Sequence, residues 1–310
     1  MYSYIFGPVA SRRFGLSLGI DLSPAKKSCN FDCLYCELEP AKTVDRVENP
    51  PSVEAVITEV KEALKAHSDI DVITITANGE PTLYPDLERL VDALNEIKGD
   101  KKLLILSNAS RIADTEVQKV LRKIDIVKLS LDCATPACFK KLDRPIESVN
   151  VETIIHGMET FRKIYDKALI LEILVVAGIN DKPEEMKALK NALDRIRPDR
   201  VDLGTVDRPP AYAVKGVTTE ELKALAGYLG NHSVSIIHKE TASQKIDFTE
   251  EEILATIRRR PQSASDVAYL FSDAARKRLE QLLHEGKVKE ENIAGVLFYT
   301  LPENRQKRKN

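Results

Sequence analysis

Six strand–helix units alternate strictly along most of this 310-residue chain, and this pattern constrains its fold more than any other feature. The predicted strands are almost entirely apolar, which is typical of parallel strands covered on both faces. Regular alternation favours right-handed crossovers and a curled parallel sheet. The predicted fold class is therefore α/β, a partial (β/α)6 TIM-like barrel open on one side. The predicted strands are residues 16–22, 72–76, 103–106, 126–131, 169–176 and 201–204, with a short one at 234–237, and the predicted helices are 53–67, 85–94, 115–123, 151–164, 183–196 and 218–228.

Polar residues gather directly after each predicted strand. In barrels of this type the active site lies at the C-terminal ends of the strands. Loop polarity or helix capping explains any one of these groups, whereas the whole set predicts a functional face. The groups are residues 28–36, then Asn78, Gly79 and Glu80, then Ser107 and Asn108, then Ser130 and Asp132, then Asn180 and Asp181, and finally residues 205–208.

Three cysteines, Cys29, Cys33 and Cys36, lie in the loop after the first predicted strand, and the whole chain has only five. Three thiolates from one short loop can hold an iron–sulfur cube and leave one iron open to bind a small molecule. A zinc site is the alternative, but zinc usually takes four protein ligands, and the next histidine is His67. A disulfide framework is typical of short secreted chains instead.

The chain changes character after residue 238. Residues 239–247 are polar and are interpreted as a linker, which separates a barrel domain of residues 1–238 from a small domain of residues 248–303 and a basic tail of residues 304–310. Thr249 and Glu252 form a capping-box pattern, and Ser265 and Ser272 are predicted to cap two further helices. Three helices followed by a hairpin predict a winged-helix domain.

The charge of the small domain does not indicate what the domain binds. Basic residues occur at 258–260, 276–278 and in the tail, yet residues 246–310 contain 12 lysines and arginines against 11 aspartates and glutamates. Winged-helix domains bind nucleic acid or serve as peptide-docking and dimer surfaces, and the sequence favours neither use.

The location follows from what the sequence lacks. No apolar run approaches the length of about 18 residues that a membrane helix needs. Arg12 and Arg13 follow the apolar N-terminal residues, the reverse of a signal peptide. The prediction is a cytoplasmic protein with no membrane partner, in a compartment where thiolates stay reduced.

The cysteine spacing, with Tyr35 just before the third cysteine, resembles the radical S-adenosylmethionine superfamily, as does the run Asn78-Gly79-Glu80-Pro81. The resemblance covers about residues 16–237. It implies an oxidoreductase in which Cys29, Cys33 and Cys36 hold a [4Fe-4S] cluster. S-adenosylmethionine on the open iron is cleaved to methionine and a 5′-deoxyadenosyl radical. The implied electron donor is a flavodoxin or ferredoxin.

The same resemblance implies contacts to S-adenosylmethionine. Tyr35 would lie beside the adenine, and Asn78, Gly79 and Glu80 would receive the methionine amino group. The remaining implied contacts are Asn108, Ser130 and Asp132 toward the ribose or carboxylate, and Val176 and Ala177 as an adenine wall.

A narrower resemblance rests on residues 6–20, on Leu142-Asp143-Arg144-Pro145 and on residues 206–210. These stretches are similar to prokaryotic radical enzymes related to the tRNA wyosine-base synthases. No cysteine precedes Cys29, so the second cluster of those synthases is not predicted here. The resemblance favours RNA, in particular a tRNA base, as the substrate. A peptide docked by the winged helix and an iron–sulfur sensor that regulates DNA are the alternatives.

Six residues are candidates for substrate chemistry. Arg12, Arg13, Arg144 and Arg208 are of the type that grips phosphate or carboxylate, although loop salt bridges explain them equally. Asp207 is a candidate proton donor or acceptor. Cys133 is a candidate reactive thiol, and its alternative, shared with Cys138, is a small buried thiol.

Overall fold

The computed structural model describes residues 2–11, 13–206, 208, 210–236, 245–259, 261–293 and 296–302. No helix within this part of the chain is long and apolar enough to cross a membrane. The barrel strands are β1 (Ile5–Ser11), β2 (Gly15–Asp21), β3 (Val72–Thr76), β4 (Lys102–Ser107), β5 (Ile126–Ser130), β6 (Ala168–Val175), β7 (Arg200–Thr205) and β8 (Val234–Ile236). The barrel helices are α1 (Val53–Ala66), α2 (Leu87–Ile97), α3 (Thr115–Leu121), α4 (Pro136–Leu142), α5 (Val151–Ile164), α6 (Pro183–Ile196) and α7 (Thr219–Ala226).

The strands form one eight-stranded sheet in sequence order. Strands β2 to β8 are parallel, which confirms the predicted partial barrel. Strand β1 adds an antiparallel edge that the sequence analysis did not predict. Its register shifts between Phe6 and Val9, where Gly7 and Pro8 interrupt the alternation of side chains. Because glycine and proline disfavour regular strands, the pattern gave no strand signal there.

Each parallel strand has an outer face that packs on helices and an inner face that points into the lumen. Ile73, Val127 and Leu171 belong to the outer core, together with helical residues such as Val56 and Val60. The alternate residues form a separate apolar cluster inside the barrel, which we call the apolar floor: Val72, Leu104, Ile126 and Ile170, with Phe14 and Ala168 against them. The floor closes the lumen at the N-terminal ends of the strands.

A charged layer lies above the apolar floor and is centred on Asp202, whose side chain is 0% exposed. Arg13 Nη1 lies 2.8 Å, Lys128 Nζ 3.3 Å and Arg200 Nε 2.8 Å from its carboxylate oxygens. Arg13 sits in the turn between β1 and β2, at the N-terminal end of the barrel. The prediction that Arg13 grips substrate at the functional face is therefore wrong, because its guanidinium neutralises Asp202 at the opposite end.

The C-terminal part contains α8 (Glu250–Arg259), β9 (Gln262–Ser263), α9 (Ala264–Leu270), α10 (Asp273–His284), β10 (Lys289–Ile293) and β11 (Val296–Thr300). The three strands form an antiparallel sheet in the order β10-β11-β9. This part has its own core, which includes Phe248, Phe271 and Leu279. Residues 239–244 of the predicted linker and residues 304–310 of the predicted tail lie outside the described residues.

Helix capping in this part is mostly as predicted. Thr249 and Glu252 exchange the reciprocal hydrogen bonds of a capping box. Ser272 caps α10 by accepting a bond from the Ala275 amide. The predicted cap at Ser265 is wrong, because Ser263 caps α9 two residues earlier with Asp266 as the reciprocal partner. Ser263 and Ser265 both lie near the start of α9. The helix begins directly after Ser263, which is also the last residue of β9.

Candidate active site

The cysteine loop, residues 28–36, follows β2 and is held on both sides by backbone hydrogen bonds. On one side the Ser28 amide donates to the Asn78 carbonyl at 2.9 Å, and the Glu80 amide donates to the Ser28 carbonyl at 2.9 Å. On the other side the Leu34 amide donates to the Leu142 carbonyl, also at 2.9 Å. The loop is thus fixed between the segments that follow β3 and α4.

Gly79 is the point of closest approach between the cysteine loop and the loop after β3. Its φ is +142°, and a Cβ atom there would lie 1.9 Å from the Ser28 carbonyl oxygen. Only glycine fits such a position, since any side chain would displace the loop that carries the cysteines. The glycine of the Asn-Gly-Glu-Pro run therefore has a structural role that the sequence analysis did not assign.

The cysteine loop contains three free thiols. Cys29 Sγ accepts from the Phe31 amide at 3.4 Å and from Asn108 Nδ2 at 3.6 Å. Lys27 Nζ lies 3.5 Å from Cys36 Sγ, and Cys33 Sγ lies 3.7 Å from Asp143 Oδ1. Hydrogen-bond donors therefore lie next to the sulfurs of Cys29 and Cys36, where they stabilise the thiolate form.

Burial dominates the electrostatics of these thiols. It raises the pKa of Cys29 to about 12, and the Glu80 carboxylate adds to the rise. Burial also raises the pKa of Cys36, whereas Lys27 opposes that shift. Bound metal must therefore displace protons from thiols that otherwise stay neutral.

The donor set fits an iron–sulfur cube better than a single metal ion. Within the described residues, no group of three His, Cys, Asp or Glu side chains is arranged to hold one ion. A cube does not need such convergence, because each thiolate binds a different iron. Three thiols on one short loop match that requirement.

Glu80 connects the loop after β3 to the end of β4. It is 1% exposed. Its carboxylate accepts bonds from the Thr82 amide at 2.9 Å, the Ser107 hydroxyl at 2.7 Å and the Asn108 amide at 2.7 Å. Through these bonds Glu80 positions Asn108, whose side chain reaches Cys29.

A cavity beside the cysteine loop brings together four of the residues predicted to bind S-adenosylmethionine: Tyr35, Asn108, Ser130 and Asp132. The Tyr35 hydroxyl donates to Asp132 Oδ2, and the Leu174 amide donates to Asp132 Oδ1 at 2.6 Å. Asp143 lines the same cavity, and its Oδ2 atom is buried without a hydrogen-bond partner.

Asp132 and Asp143 are the two carboxyl groups of the cavity, and their charged forms are destabilised. Burial raises the pKa of Asp132 to about 7. Burial, and then the nearby Asp132, raise the pKa of Asp143 well above its usual value. A cationic ligand would offset this cost, because it pairs with carboxylates that lack a positive partner. S-adenosylmethionine, with its sulfonium and ammonium groups, has that chemistry.

The loop after β7 covers the cysteine loop. The Ala211 amide donates to the Cys36 carbonyl at 2.7 Å, and the Tyr212 hydroxyl donates to Asp32 Oδ2 at 2.6 Å. Arg144 Nη2 lies 3.0 Å from the same Asp32 oxygen, and its guanidinium lies 4.7 Å from the centre of the Tyr212 ring. Arg144 adopts a φ of +48°, an unfavourable conformation for this residue type.

Arg208 connects the covering loop to the C-terminal part of the chain. Its guanidinium lies 3.6 Å from Glu37 Oε2, next to Cys36, and 3.6 Å from Asp266 Oδ1 of α9. Arg208 is therefore paired with two carboxylates. Arg144 is more exposed, at 41%, and its use as an anion grip stays a prediction.

Of the remaining predicted residues, Cys133 lines this cavity, Val176 and Ala177 do not, and two lie outside the described residues. Val176 is fully buried in the outer core, and Ala177 is exposed with its amide bonded to the Lys215 carbonyl. Cys133 forms a disulfide with Cys138, so the prediction of a free thiol there is wrong. Arg12 and Asp207 lie outside the described residues.

Sequence reasoning missed Asp32, Asp143, Tyr212 and Lys27. Asp32 stands inside the cysteine spacing itself, and Asp143 belongs to the Leu-Asp-Arg-Pro run. Both residues lie in motifs that the sequence analysis used. Their roles depend on their burial, which the sequence does not give. Tyr212 is distant in sequence, and nothing in its neighbourhood indicated a contact with Asp32.

The chain is similar in sequence and in fold to known proteins. A family model described as "Radical SAM superfamily" matches residues 26–189. A Helicobacter pylori protein named "UPF0026 protein" (strain J99 / ATCC 700824) is 40% identical, and the match covers 95% of this chain and 96% of that protein. The crystal structure of Streptococcus suis SuiB bound to precursor peptide SuiA aligns with a TM-score of 0.57 at 20% identity, over 73% of this chain and 49% of SuiB.

A structure of TYW1 with a lysine-pyruvate adduct also aligns, with a TM-score of 0.49 at 15% identity, over 93% of this chain and 80% of that one. That similarity is too low to carry an argument about substrate. The resemblance to the wyosine-related group stays a prediction.

Proposed function

This chain belongs to the radical S-adenosylmethionine superfamily, and from that premise we propose that it modifies RNA, with a tRNA base as the substrate. It is an enzyme of the kind that uses a [4Fe-4S] cluster and S-adenosylmethionine. The finer parts of the proposal are the residues that hold these groups, the substrate, a cytoplasmic location and a flavodoxin- or ferredoxin-type reductant.

In this proposal Cys29, Cys33 and Cys36 hold the cluster, and S-adenosylmethionine binds beside them against Tyr35, Asn108, Ser130, Asp132 and Asp143, whose cavity, at about 10 Å³, has room for about one water molecule. Together the bound groups supply a 5′-deoxyadenosyl radical, which abstracts a hydrogen atom from the substrate. The residues of this chain position and protect that chemistry. Glu80 orients Asn108 toward Cys29, and the buried carboxylates Asp132 and Asp143 favour a cationic ligand.

The covering loop excludes water from the cluster side. Its bonds to Cys36 and Asp32 place backbone and an aromatic ring over the cysteine loop. Water exclusion matters because a carbon radical must meet its substrate before it meets another hydrogen donor.

The observation that carries the RNA assignment is the pairing of Arg144 with Tyr212 beside the cysteine loop. A guanidinium stacked on an aromatic ring offers a flat face for an unstacked base and donors for a phosphate. The Arg144 side chain is 41% exposed despite its bond to Asp32. It is therefore placed to meet a substrate that enters from the functional face.

The C-terminal part favours a second candidate, a peptide or protein partner. Its order of helix, short strand, two helices and hairpin agrees with a winged-helix domain. In the nucleic-acid-binding members of that class the third helix enters the groove. Here Arg276 is 3.1 Å from Asp273, and Arg278 is bonded to Asp247 and to the Phe248 carbonyl. Two of the three basic residues of α10, Arg276 and Arg278, thus make contacts within the C-terminal part itself.

The remaining alternative, an iron–sulfur sensor that regulates DNA, has little support. It assigns no use to the cavity beside the cysteine loop or to the six-unit barrel. Membership of the superfamily favours an enzyme instead.

The test compares modified nucleosides in RNA from wild-type cells and from cells that lack this gene. We expect one modified nucleoside to disappear from tRNA and to return when the gene is restored. An unchanged nucleoside profile in all RNA classes would refute RNA modification and favour the peptide candidate.

A further inference from the structure

Lys27 lies just before the cysteine loop in sequence, and its side chain reaches the last cysteine of that loop. Its ammonium Nζ lies 3.5 Å from Cys36 Sγ. The same ammonium donates a hydrogen bond to the Glu39 carbonyl at 3.1 Å. These two bonds hold the positive charge of Lys27 against the C-terminal end of the cysteine loop.

The backbone next to Lys27 is anchored. Ser28 is 3% exposed, its amide donates to the Asn78 carbonyl at 2.9 Å, and its carbonyl accepts from the Glu80 amide at 2.9 Å. A buried backbone group that loses its hydrogen bond is costly, so this segment is held in place. Lys27 therefore extends from a fixed point beside the cysteines.

The three sulfurs of the cysteine loop differ in the groups beside them. At Cys29 the donors are neutral amides, one from the backbone and one from a side chain. At Cys33 the neighbouring group is the carboxyl of Asp143, 3.7 Å away. At Cys36 it is the ammonium of Lys27. Of the hydrogen bonds that reach these sulfurs in the described part of the chain, the one from Lys27 carries a positive charge.

The charge of Lys27 differs from that of its neighbour Lys26 in how it is neutralised. Lys26 is 66% exposed and forms a salt bridge with Glu48 at 3.2 Å. Lys27 is half-buried, and its bonds within the described residues go to a sulfur and a carbonyl. A charge that is partly shielded from water acts more strongly on its neighbours. Lys27 therefore exerts its field on Cys36 rather than on a carboxylate.

A cation beside a cluster ligand changes the relative energy of the two redox states. Reduction adds one electron, so the reduced cluster is more negative than the oxidised cluster. Net charge and hydrogen bonds to the sulfurs are among the factors that set the potential of iron–sulfur clusters. A positive donor at a ligand sulfur favours the reduced state and raises the potential.

We propose that Lys27 raises the reduction potential of the [4Fe-4S] cluster through its bond to the Cys36 sulfur, so that the cluster accepts its electron more readily. This inference rests on the proposed function, in which Cys29, Cys33 and Cys36 hold the cluster. Lys27 is a positioning residue that acts through Cys36, because an ammonium has no lone pair with which to bind iron.

The test is the midpoint potential of the reconstituted cluster without S-adenosylmethionine. It is measured by redox titration with electron paramagnetic resonance, and dithionite supplies the electron. Lys27→Met removes the charge and the donor but keeps the length of the side chain. We expect the ratio of reduced to oxidised cluster at a fixed potential to fall about tenfold, the usual effect of losing a hydrogen bond to a charged group. For one electron this is a midpoint about 59 mV more negative.

Two further variants serve as controls. Lys26→Met removes the adjacent lysine, which pairs with Glu48, and should keep the wild-type midpoint. Lys27→Arg keeps a positive donor and should lie closer to the wild type than Lys27→Met does. Equal midpoints for Lys27→Met and Lys26→Met, with full iron and sulfide content in both, would overturn the proposal.

Cluster content separates the remaining outcomes. If Lys27→Met takes up no cluster, Lys27→Gln replaces it in the titration, because glutamine keeps a donor and loses the charge. A more negative midpoint for Lys27→Gln supports the proposal. An unchanged midpoint, or loss of the cluster from this variant as well, overturns it, and loss of the cluster would assign Lys27 to holding the loop.

The failure of the proposed function gives different results. A wild-type protein that forms no [4Fe-4S] cluster would refute the assignment of the three cysteines and the role of Lys27 with it. An unchanged nucleoside profile in all RNA classes would refute RNA modification and leave the role of Lys27 standing.

Discussion

Two buried aspartates, one inside the barrel and one at the cysteine loop, show different uses of a charge. Asp202, in the middle of β7, has three cations within 3.3 Å of its oxygens. Asp143, at the cysteine loop, has one carboxylate oxygen without a hydrogen-bond partner among the described residues. Cys33 Sγ lies 3.7 Å from its other oxygen, and the nearby Asp132 raises its pKa.

The difference separates structure from function. A buried charge is tolerated when partners neutralise it, and such a group belongs to the fold. A buried carboxylate without a cation is costly, and active sites are where such groups concentrate. Asp202 therefore stabilises the interior of the barrel, whereas Asp143 and Asp132 prepare the region beside the cysteine loop for a cationic ligand. The four substitutions that follow test this comparison.

The largest effect on folding is expected for Asp202→Asn. The amide removes the counter-charge that Arg13, Lys128 and Arg200 share, although Lys128 keeps Glu172, and removal of one member of a buried ionic group costs about 3 kcal/mol or more. Chemical denaturation measures the change in the free energy of unfolding. Asp100→Asn, at an exposed pair with Lys101, is the control and should be neutral. A stability for Asp202→Asn equal to that of the control would break the comparison.

Gly79→Ala should damage the cysteine loop. The new Cβ atom would meet the Ser28 carbonyl oxygen at 1.9 Å, so the loop must move. We expect low iron content after reconstitution. Gly99→Ala is the control, because Gly99 also has a positive φ, +61°, yet has nothing within 4 Å of an added Cβ. Its cost should be confined to about 1–2 kcal/mol of backbone strain, with normal iron content.

Asp143→Asn should show the reverse of Asp202→Asn. Among the described residues no cation is paired with Asp143, so we expect the melting temperature to stay constant or to rise. The affinity for S-adenosylmethionine should fall about tenfold through loss of a charged contact. Isothermal titration with the reconstituted protein gives that affinity. A lower melting temperature with unchanged affinity would assign Asp143 to the fold instead.

Tyr212→Phe should have the smallest effect. It removes the hydroxyl that donates to Asp32 and keeps the ring, at a cost of about 1 kcal/mol to the closed loop. We expect the cluster absorbance to bleach a few-fold faster in air. Tyr228→Phe, at an exposed tyrosine after α7, is the control. Equal bleaching rates in both variants would show that the Tyr212 bond does not protect the cluster.

Much of the barrel was predictable because its signals are local. Asn150 caps the N-terminus of α5, and Pro183 is the first residue of α6. Because such signals mark where a helix begins, both helix ranges were predicted correctly. The parallel strands were recognised from their continuous apolar runs. The antiparallel β1 and the short α4 were missed because each is interrupted or flanked by proline and carries no regular period.

The candidate site was predictable only in part. The cysteine spacing and the polar residues after the strands indicated Tyr35, Asn108, Ser130 and Asp132, which lie in one cavity. The opposite roles of Arg13 and Arg144 were not predictable, because the strand topology decides which end of the barrel each occupies. The ion pair of Lys128 and Glu172 depends on the register of β5 against β6, which is a property of the fold.

The central claim is that the three cysteines of the loop hold the cluster that starts the reaction. The direct measurement is iron and sulfide content, together with 5′-deoxyadenosine release, for Cys33→Ala beside Cys138→Ala after anaerobic reconstitution. We predict that Cys33→Ala loses the cluster and releases no 5′-deoxyadenosine, whereas Cys138→Ala keeps a full cluster. Release of 5′-deoxyadenosine by Cys33→Ala at the wild-type rate would contradict the account.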